Sequence, residues 1–324
     1  MAGFNAVTIE TQVAEAAAPS TRRLQVVYIL GNSRSGSTIL DTLLGNHPAI
    51  ESVGELVNLP ELGWLANQYC ACGSRARECV FWEQVRKRWL ESTSLSCPAE
   101  YVRLQNHVGR YRRLLPGFHR PDTASAEFLR YADCTAALFE TIGEVSGKSI
   151  VVDSSKIPLR AFLLSLIPQL DLKIIHLVRD ARGVAWSLRK SFKADALAGV
   201  QRDIRPQPIA QTVIEWMRIN AQSNWVRGKL DARRSMGVRY EELTADPRRT
   251  LGRIGDLIGC ELRELADKVE QDQALSVGHT IAGNRMRMAG QARLRPDEEW
   301  RYKMGAMDKW LIGSLAGWQM RRLR

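Results

Sequence analysis

Long apolar runs are missing from this 324-residue chain. No stretch reaches the roughly 18 apolar residues that a membrane-spanning helix needs, so no membrane span is expected. Residues 1–22 carry Glu10 and Glu15 and lack a basic start, a continuous apolar core and a cleavage site in that order. They read as a flexible N-terminal arm, not as a signal peptide, and the expected location is cytoplasmic. Acidic side chains are in deficit, with 35 Asp and Glu against 46 Lys and Arg, a net charge of +11. That balance favours anionic partners of any kind: nucleic acid, anionic lipid, a phosphorylated cofactor or a polyanionic acceptor. Aromatic residues make up 7% of the chain, and neither a recognisable nucleic-acid-binding module nor an ordered stacking set is present. Nucleic acid is therefore the weaker reading of the charge.

Paired C-x-x-C motifs are also absent. The six cysteines are Cys70, Cys72, Cys79, Cys97, Cys134 and Cys260. The first three form Cys70-Ala71-Cys72-Gly73 with Cys79 seven residues on. Zinc wants four ligands, and Cys97, His107 or His119 completes a set only if the fold brings one near. The cluster reads as a structural group or a local disulfide, and no metal is expected. A reducing compartment counts against an obligate disulfide.

What the chain does have is Val26-Val27-Tyr28-Ile29-Leu30-Gly31, a strand-like run that breaks into small and polar residues and resumes at helical spacing with Ile39, Leu40, Leu43 and Leu44. Strand, tight loop and helix follow from that pattern. The first N–H groups of such a helix point at one spot together with the positive end of its dipole, which makes an anion site. Gly31 to Thr38 reads G-x-x-x-x-G-S-T, one residue from the triphosphate loop G-x-x-x-x-G-K-[ST]. Ser37 stands where the lysine would be, and the cation sits inside the loop as Arg34. A guanidinium fork suits two oxygens of a tetrahedral anion. An anion other than a triphosphate is the expected ligand; a Gly/Ser-rich turn that binds nothing is the bland alternative.

Beyond the loop, residues 63–145 carry helical patterns (Phe81 to Leu90, Tyr101 to Leu115, Ala124 to Ile142) without a clear strand. They read as a helical insertion covering one end of a sheet, within a single domain spanning 23–324. Strand character returns at Ser149 to Asp153 and at Leu172 to Val178, each followed by a helix, and a short strand lies near Gly237 to Tyr240. Alternating strands and helices imply an α/β fold with a parallel central sheet flanked by helices, whose ligands gather at the carboxyl ends of the strands. Arg34, Asp153, Lys156 and Arg179 all fall at such ends. Ser191 to Pro208 reads as a mobile loop.

These pieces together resemble a sulfotransferase that uses 3′-phosphoadenosine 5′-phosphosulfate (PAPS), with a P-loop-like fold. Arg34-Ser35-Gly36-Ser37-Thr38 is similar to that family's 5′-phosphosulfate loop. Val178-Arg179 through Ser187 resembles its 3′-phosphate motif, and the stretch from His279 to Arg287 its late basic loop. Cys70-x-Cys72-Gly73 to Phe81-Trp82 is similar to a stretch of bacterial members whose role the likeness leaves open. The resemblance implies a donor site of Arg34, Ser35, Gly36, Ser37, Thr38, Arg179 and Ser187, with Arg285 and Arg287 added to the 3′-phosphate clamp. It also points to an acid after the His47-Pro48 turn, Glu55, as the base that activates an acceptor hydroxyl, with Glu51 and Glu61 as alternatives. Lys156 would stabilise the leaving oxygen, and His279 reads as structural.

Sulfuryl transfer moves SO₃ between two oxygens, so the protein's work is positioning and charge stabilisation, and no metal is required. The acceptor is a small-molecule, carbohydrate or lipid-linked hydroxyl; phenol and peptide tyrosine fit equally. The rival is a P-loop kinase or nucleotide hydrolase, in which Asp153 would support Mg²⁺.

Overall fold

A computed structural model describes residues 23–109, 122–191, 193–200, 203, 205–283 and 285–323. Strand β1 (Gln25–Gly31) is fully buried from Val26 through Leu30, as expected of a strand covered on both faces. Helix α1 (Ser37–Gly45) follows it, and strand β2 (Ile50–Ser52) forms one edge of the sheet. With β3 (Ile150–Lys156), β4 (Asp171–Val178) and β5 (Ser235–Arg239), the order is β2-β3-β1-β4-β5, and every pairing is parallel. Connections leave β1 and β4 in opposite directions, so a crevice opens between their carboxyl ends, where ligands of open α/β sheets bind.

Alternation along β1 sorts its side chains between two layers. Val26, Tyr28 and Leu30 join a cluster with Trp89, Phe139 and Leu164, whereas Val27 and Ile29 pack with Leu40, Leu43 and Ile254. Burying an aliphatic side chain of this kind stabilises by about 1.5–3 kcal/mol relative to exposure, and Leu43→Ala is a change the second layer would feel directly.

Between β2 and β3 the described residues hold α2 (Val80–Ser92), α3 (Pro98–Val108) and α4 (Ala126–Ser146). The long α4 starts where Ser125 Oγ accepts from the Phe128 N–H (3.3 Å) and stops at Gly147 with φ 68°. Its Phe139 and Ile142 are fully buried in the same cluster as Val26 and Val151. This section therefore does more than cover one end of the sheet: α4 packs on a sheet face and carries the chain from β2 to β3. Helix α3 ends at Val108, and the expected continuation toward Leu115 lies outside the described residues.

Strand β3 runs three residues beyond Asp153, because the Ser154 N–H donates to Gly54 O (2.8 Å) and a shift in register pairs Leu30 with Lys156. Helix α5 (Pro158–Ser165) has Pro158 in its first turn, where the missing N–H costs nothing. After β4 come α6 (Ala181–Leu188) and α7 (Ile209–Arg227). The chain then forms α8 (Tyr240–Ala245), α9 (Pro247–Ile258) and α10 (Arg263–Glu270). An antiparallel pair, β6 (Leu275–Ser276) and β7 (Gln291–Ala292), brackets the basic loop. Helices α11 (Glu299–Lys303) and α12 (Ala306–Arg322) close the fold, with Trp300 and Ile312 packed on Val184 and Trp216. Among the described residues no helix is long and apolar enough to cross a membrane.

Candidate active site

The loop after β1 is shaped by two glycines. Gly31 has φ 148°, and a Cβ there would lie 2.3 Å from Leu177 O, so only glycine lets β1 and β4 close at this point. Gly36 has φ 94° and begins α1; a Cβ would meet the Tyr240 ring at 2.5 Å. The first turn of α1 has neither a side-chain cap nor an acidic residue. Its N–H groups and dipole therefore present positive character to the cavity that Gly36, Ser37 and Thr38 line.

That cavity, about 500 Å³, occupies the crevice at the strand ends. Arg34, Lys156, Arg179, Arg285, Arg293 and Arg295 line it against two acids, Glu55 and Asp297. Arg34 (φ 64°) and Lys156 (φ 68°) both hold left-handed backbone, a conformation that costs non-glycine residues about 1–3 kcal/mol and clusters at functional sites. Burial, and then the charge of Arg285, push the Arg34 guanidinium below its ordinary pKa, against the pull of Glu55. Cations crowded in this way favour an anionic ligand.

Arg179 is 6% exposed and rigidly held. It donates to Arg34 O (3.1 Å) and Asp297 O (2.7 Å), pairs with Asp297 Oδ2 (3.0 Å) and lies 4.6 Å over the Tyr240 ring. Tyr240 Oη in turn donates to Arg295 O (2.9 Å) and accepts from the Asp297 N–H (3.1 Å), tying the C-terminal segment to the end of β5. From α7, Trp216 Nε1–H donates to Arg179 O (3.0 Å). Ser187, on α6, lines the same wall.

Glu55 and Lys156 form a hydrogen-bonded ion pair inside the cavity. Lys156 Nζ also donates to Ser154 O (3.2 Å), and Asn58 Nδ2 donates to the second Glu55 oxygen (2.9 Å). A fixed carboxylate beside a fixed ammonium is an arrangement that can take a proton on one group and steady a developing negative charge with the other.

The cavity thus brings together Arg34, Gly36, Ser37, Thr38, Glu55, Lys156, Arg179, Ser187 and Arg285. Ser35 and Arg287 do not line it. Ser35 is 1% exposed and donates its N–H to Asn32 O (3.3 Å). Arg287, also 1% exposed, turns away and donates to Tyr69 O (2.9 Å) and Thr280 O (3.2 Å). The alternative acids lie elsewhere: Glu51 pairs with Lys148 (2.7 Å), and Glu61 is exposed. Asp153, on which a magnesium site would rest, is fully buried and engaged with Arg160 Nε (3.1 Å) and the Ser155 N–H (2.9 Å). Tyr240 and Asp297 escaped the reading of the sequence. A strand-end position marks Tyr240 as Arg179 was marked, whereas nothing local marks Asp297.

The cysteine cluster also finds its neighbour. Neither Cys97 nor His107 approaches it; His279 does, with Nδ1 at 3.3 Å from Cys79 Sγ and 3.9 Å from Cys70 Sγ. His119 lies outside the described residues. All six cysteines are free thiols, so the expected alternative of a local disulfide is not formed.

Comparison with known proteins now adds a family. A family model described as "Sulfotransferase family" matches residues 26–264. No curated protein matches. Among solved structures the chain is similar to the sulfotransferase domain of an olefin synthase from Synechococcus PCC 7002, with a TM-score of 0.48 and 19% identity over 90% of this chain and 93% of that one. It is similar also to the sulfotransferase domain of the curacin biosynthetic pathway (TM-score 0.45, 17% identity, 90% and 96% covered). A sulfotransferase from Mycobacterium avium gives a TM-score of 0.46 and 14% identity, with 94% and 77% covered.

Proposed function

The chain belongs to the sulfotransferase family, and from that premise we propose that it moves a sulfuryl group from PAPS to the hydroxyl of a small-molecule, carbohydrate or lipid-linked acceptor. The observation that carries the reading is a pair of cationic walls lining one crevice. One wall is the start of α1 with Arg34; the other is Arg179 with Ser187. Two phosphate-like groups on one adenosine fit two such walls. A single nucleotide triphosphate needs only the first.

In this reading the α1 amides and Arg34 hold the 5′-phosphosulfate, and Arg179, Ser187 and Arg285 hold the 3′-phosphate. Glu55 accepts the proton of the acceptor hydroxyl as its oxygen bonds to sulfur. The bond from sulfur to the bridging oxygen breaks, and that electron pair leaves on the phosphate of adenosine 3′,5′-bisphosphate, where the Lys156 ammonium steadies it. Lys156 and Glu55 already share one hydrogen bond, so the donor's arrival would draw Lys156 toward the phosphate and release the carboxylate for the acceptor proton. In this reading the protein's own groups position the two oxygens and stabilise the charge.

Calorimetric titration with adenosine 3′,5′-bisphosphate, run against ATP with and without Mg²⁺, tests the donor. Tight binding of the bisphosphate without Mg²⁺, with ATP much weaker, is the expected result; preference for Mg²⁺-ATP overturns the reading. Glu55→Gln is expected to leave bisphosphate affinity unchanged and to lower kcat by about 10²–10⁴-fold. Full turnover in that variant removes Glu55 as the base.

A further inference from the structure

Cys70, Cys72 and Cys79 meet His279 from 200 residues farther along the chain. The three sulfurs and His279 Nδ1 all lie within 4.8 Å of one another. Cys72 and Cys79 sulfurs are 3.7 Å apart, and Cys79 Sγ is 3.3 Å from Nδ1. Zinc–sulfur bonds of about 2.3 Å and zinc–nitrogen bonds of about 2.0–2.1 Å, arranged as a tetrahedron, separate such ligand atoms by roughly 3.5–3.8 Å. A disulfide would use two of the four groups and leave the convergence of the others unexplained.

We propose that Cys70, Cys72, Cys79 and His279 form a closed zinc site that fastens the loop 279–287 to the segment between β2 and α2. Four protein ligands make it a structural site, with no position left for substrate, and none of the four lines the catalytic cavity. Soft thiolates with one imidazole select zinc over magnesium or calcium.

The surroundings are built for it. The Ala71 N–H donates to Thr280 O (2.8 Å) and Trp82 Nε1–H to His279 O (2.7 Å), so backbone on both sides of the cluster is already aligned. The Phe81 ring stacks on the imidazole with centroids 5.1 Å apart, which fixes its plane. Three thiolates around Zn²⁺ leave one net negative charge. Arg287, almost fully buried, supplies the opposite one by bridging Tyr69 O and Thr280 O, the residues flanking Cys70 and His279. No carboxylate among the described residues pairs with Arg287 within 4.0 Å. The loop so fastened delivers Gly283 and Arg285 to the cavity wall.

The test is elemental analysis of the full chain, purified without a metal-binding tag under reducing conditions. About one zinc per chain is expected after dialysis. Chain produced with cobalt should show thiolate-to-cobalt charge transfer and the visible bands of a tetrahedral ion. A chain that holds no stoichiometric metal and takes up no cobalt overturns the proposal, as does an intact mass showing two cysteines joined by a disulfide. Cys72 is the exposed ligand, so Cys72→Ser puts folding least at risk; it should lose zinc to a chelator that leaves the parent loaded. Equal retention of zinc by variant and parent removes Cys72 as a ligand. Chelation should lower Tm by about 5 °C or more and speed hydrogen exchange in peptides covering 279–287 while β1 stays protected. Metal content is read without donor or acceptor, so this outcome is independent of the one that tests sulfuryl transfer.

Discussion

Charges beneath the cavity and charges in its wall are treated in opposite ways. Beneath it, Asp153 is fully buried and paired with Arg160, itself 4% exposed. Asp41, 1% exposed, accepts from Ser52 Oγ (2.7 Å), and burial pushes its carboxyl up to about 8, so it is mostly uncharged at neutral pH. His176, fully buried, hydrogen-bonds Asn220 Oδ1 through Nε2 (2.9 Å), and burial lowers its pKa to about 4. Interior charge is thus either cancelled or discharged. In the wall, cations outnumber acids, and Arg34 and Arg285 crowd each other. The difference separates charges settled inside the fold from a wall that stays cation-rich although Lys156 pairs with Glu55, Arg179 with Asp297, and Arg293 and Arg295 with Asp272.

The contrast breaks most visibly if the interior pair is opened. Asp153→Ala leaves the Arg160 guanidinium buried without its counter-charge and should lower the unfolding free energy by about 3–5 kcal/mol, read by urea denaturation. An unchanged midpoint would show that the pair does not bear on the fold. In the wall the expectation is the reverse. Arg34→Asn suits the left-handed backbone at this position and removes only the cation. It should weaken adenosine 3′,5′-bisphosphate by about 30-fold, roughly 2 kcal/mol, while Tm stays close to that of the parent. A large loss of stability with unchanged affinity would move Arg34 from ligand binding to structure.

How much of this could be read from residue order follows the same division. The loop from Gly31 to Thr38 and the strand-end positions of Lys156 and Arg179 were legible, because a change from apolar run to helical spacing is a local signal and parallel strands gather their ligands at one end. Arg285 and Arg287 look alike in sequence, two residues apart in a basic loop. One is exposed at the cavity and the other almost fully buried under it, since a single tight turn from Arg285 to Ala289 sends them to different sides. The meeting of Cys79 with His279 was not legible either. The path of the chain between β2 and β7 decides it, and no spacing within either segment encodes that path.

The smallest effect tests the discharged groups, and its sign needs care. The folded pKa of His176, about 4, lies below its ordinary 6.5, so between those values the unfolded chain binds the extra proton. The stability that depends on neutral His176 is fully present above pH 6.5 and is lost as pH falls toward 4. By pH 5.5 the loss should be about 1.4 kcal/mol. Asp41 acts in the opposite direction. Its folded pKa is raised from 3.8 to about 8, so its unfolded form ionises first and stability falls as pH rises through that window. A pH profile of the parent chain alone mixes the two. His176→Gln separates them, because glutamine keeps a donor for Asn220 Oδ1 and cannot be protonated. On going from pH 7.5 to 5.5 the variant should gain about 1.4 kcal/mol relative to the parent. Parallel profiles would mean that the fold does not discharge His176, and the link from β4 through Asn220 and the Trp216 carbonyl to α7, the helix that steadies Arg179, would then tolerate a charge at its start.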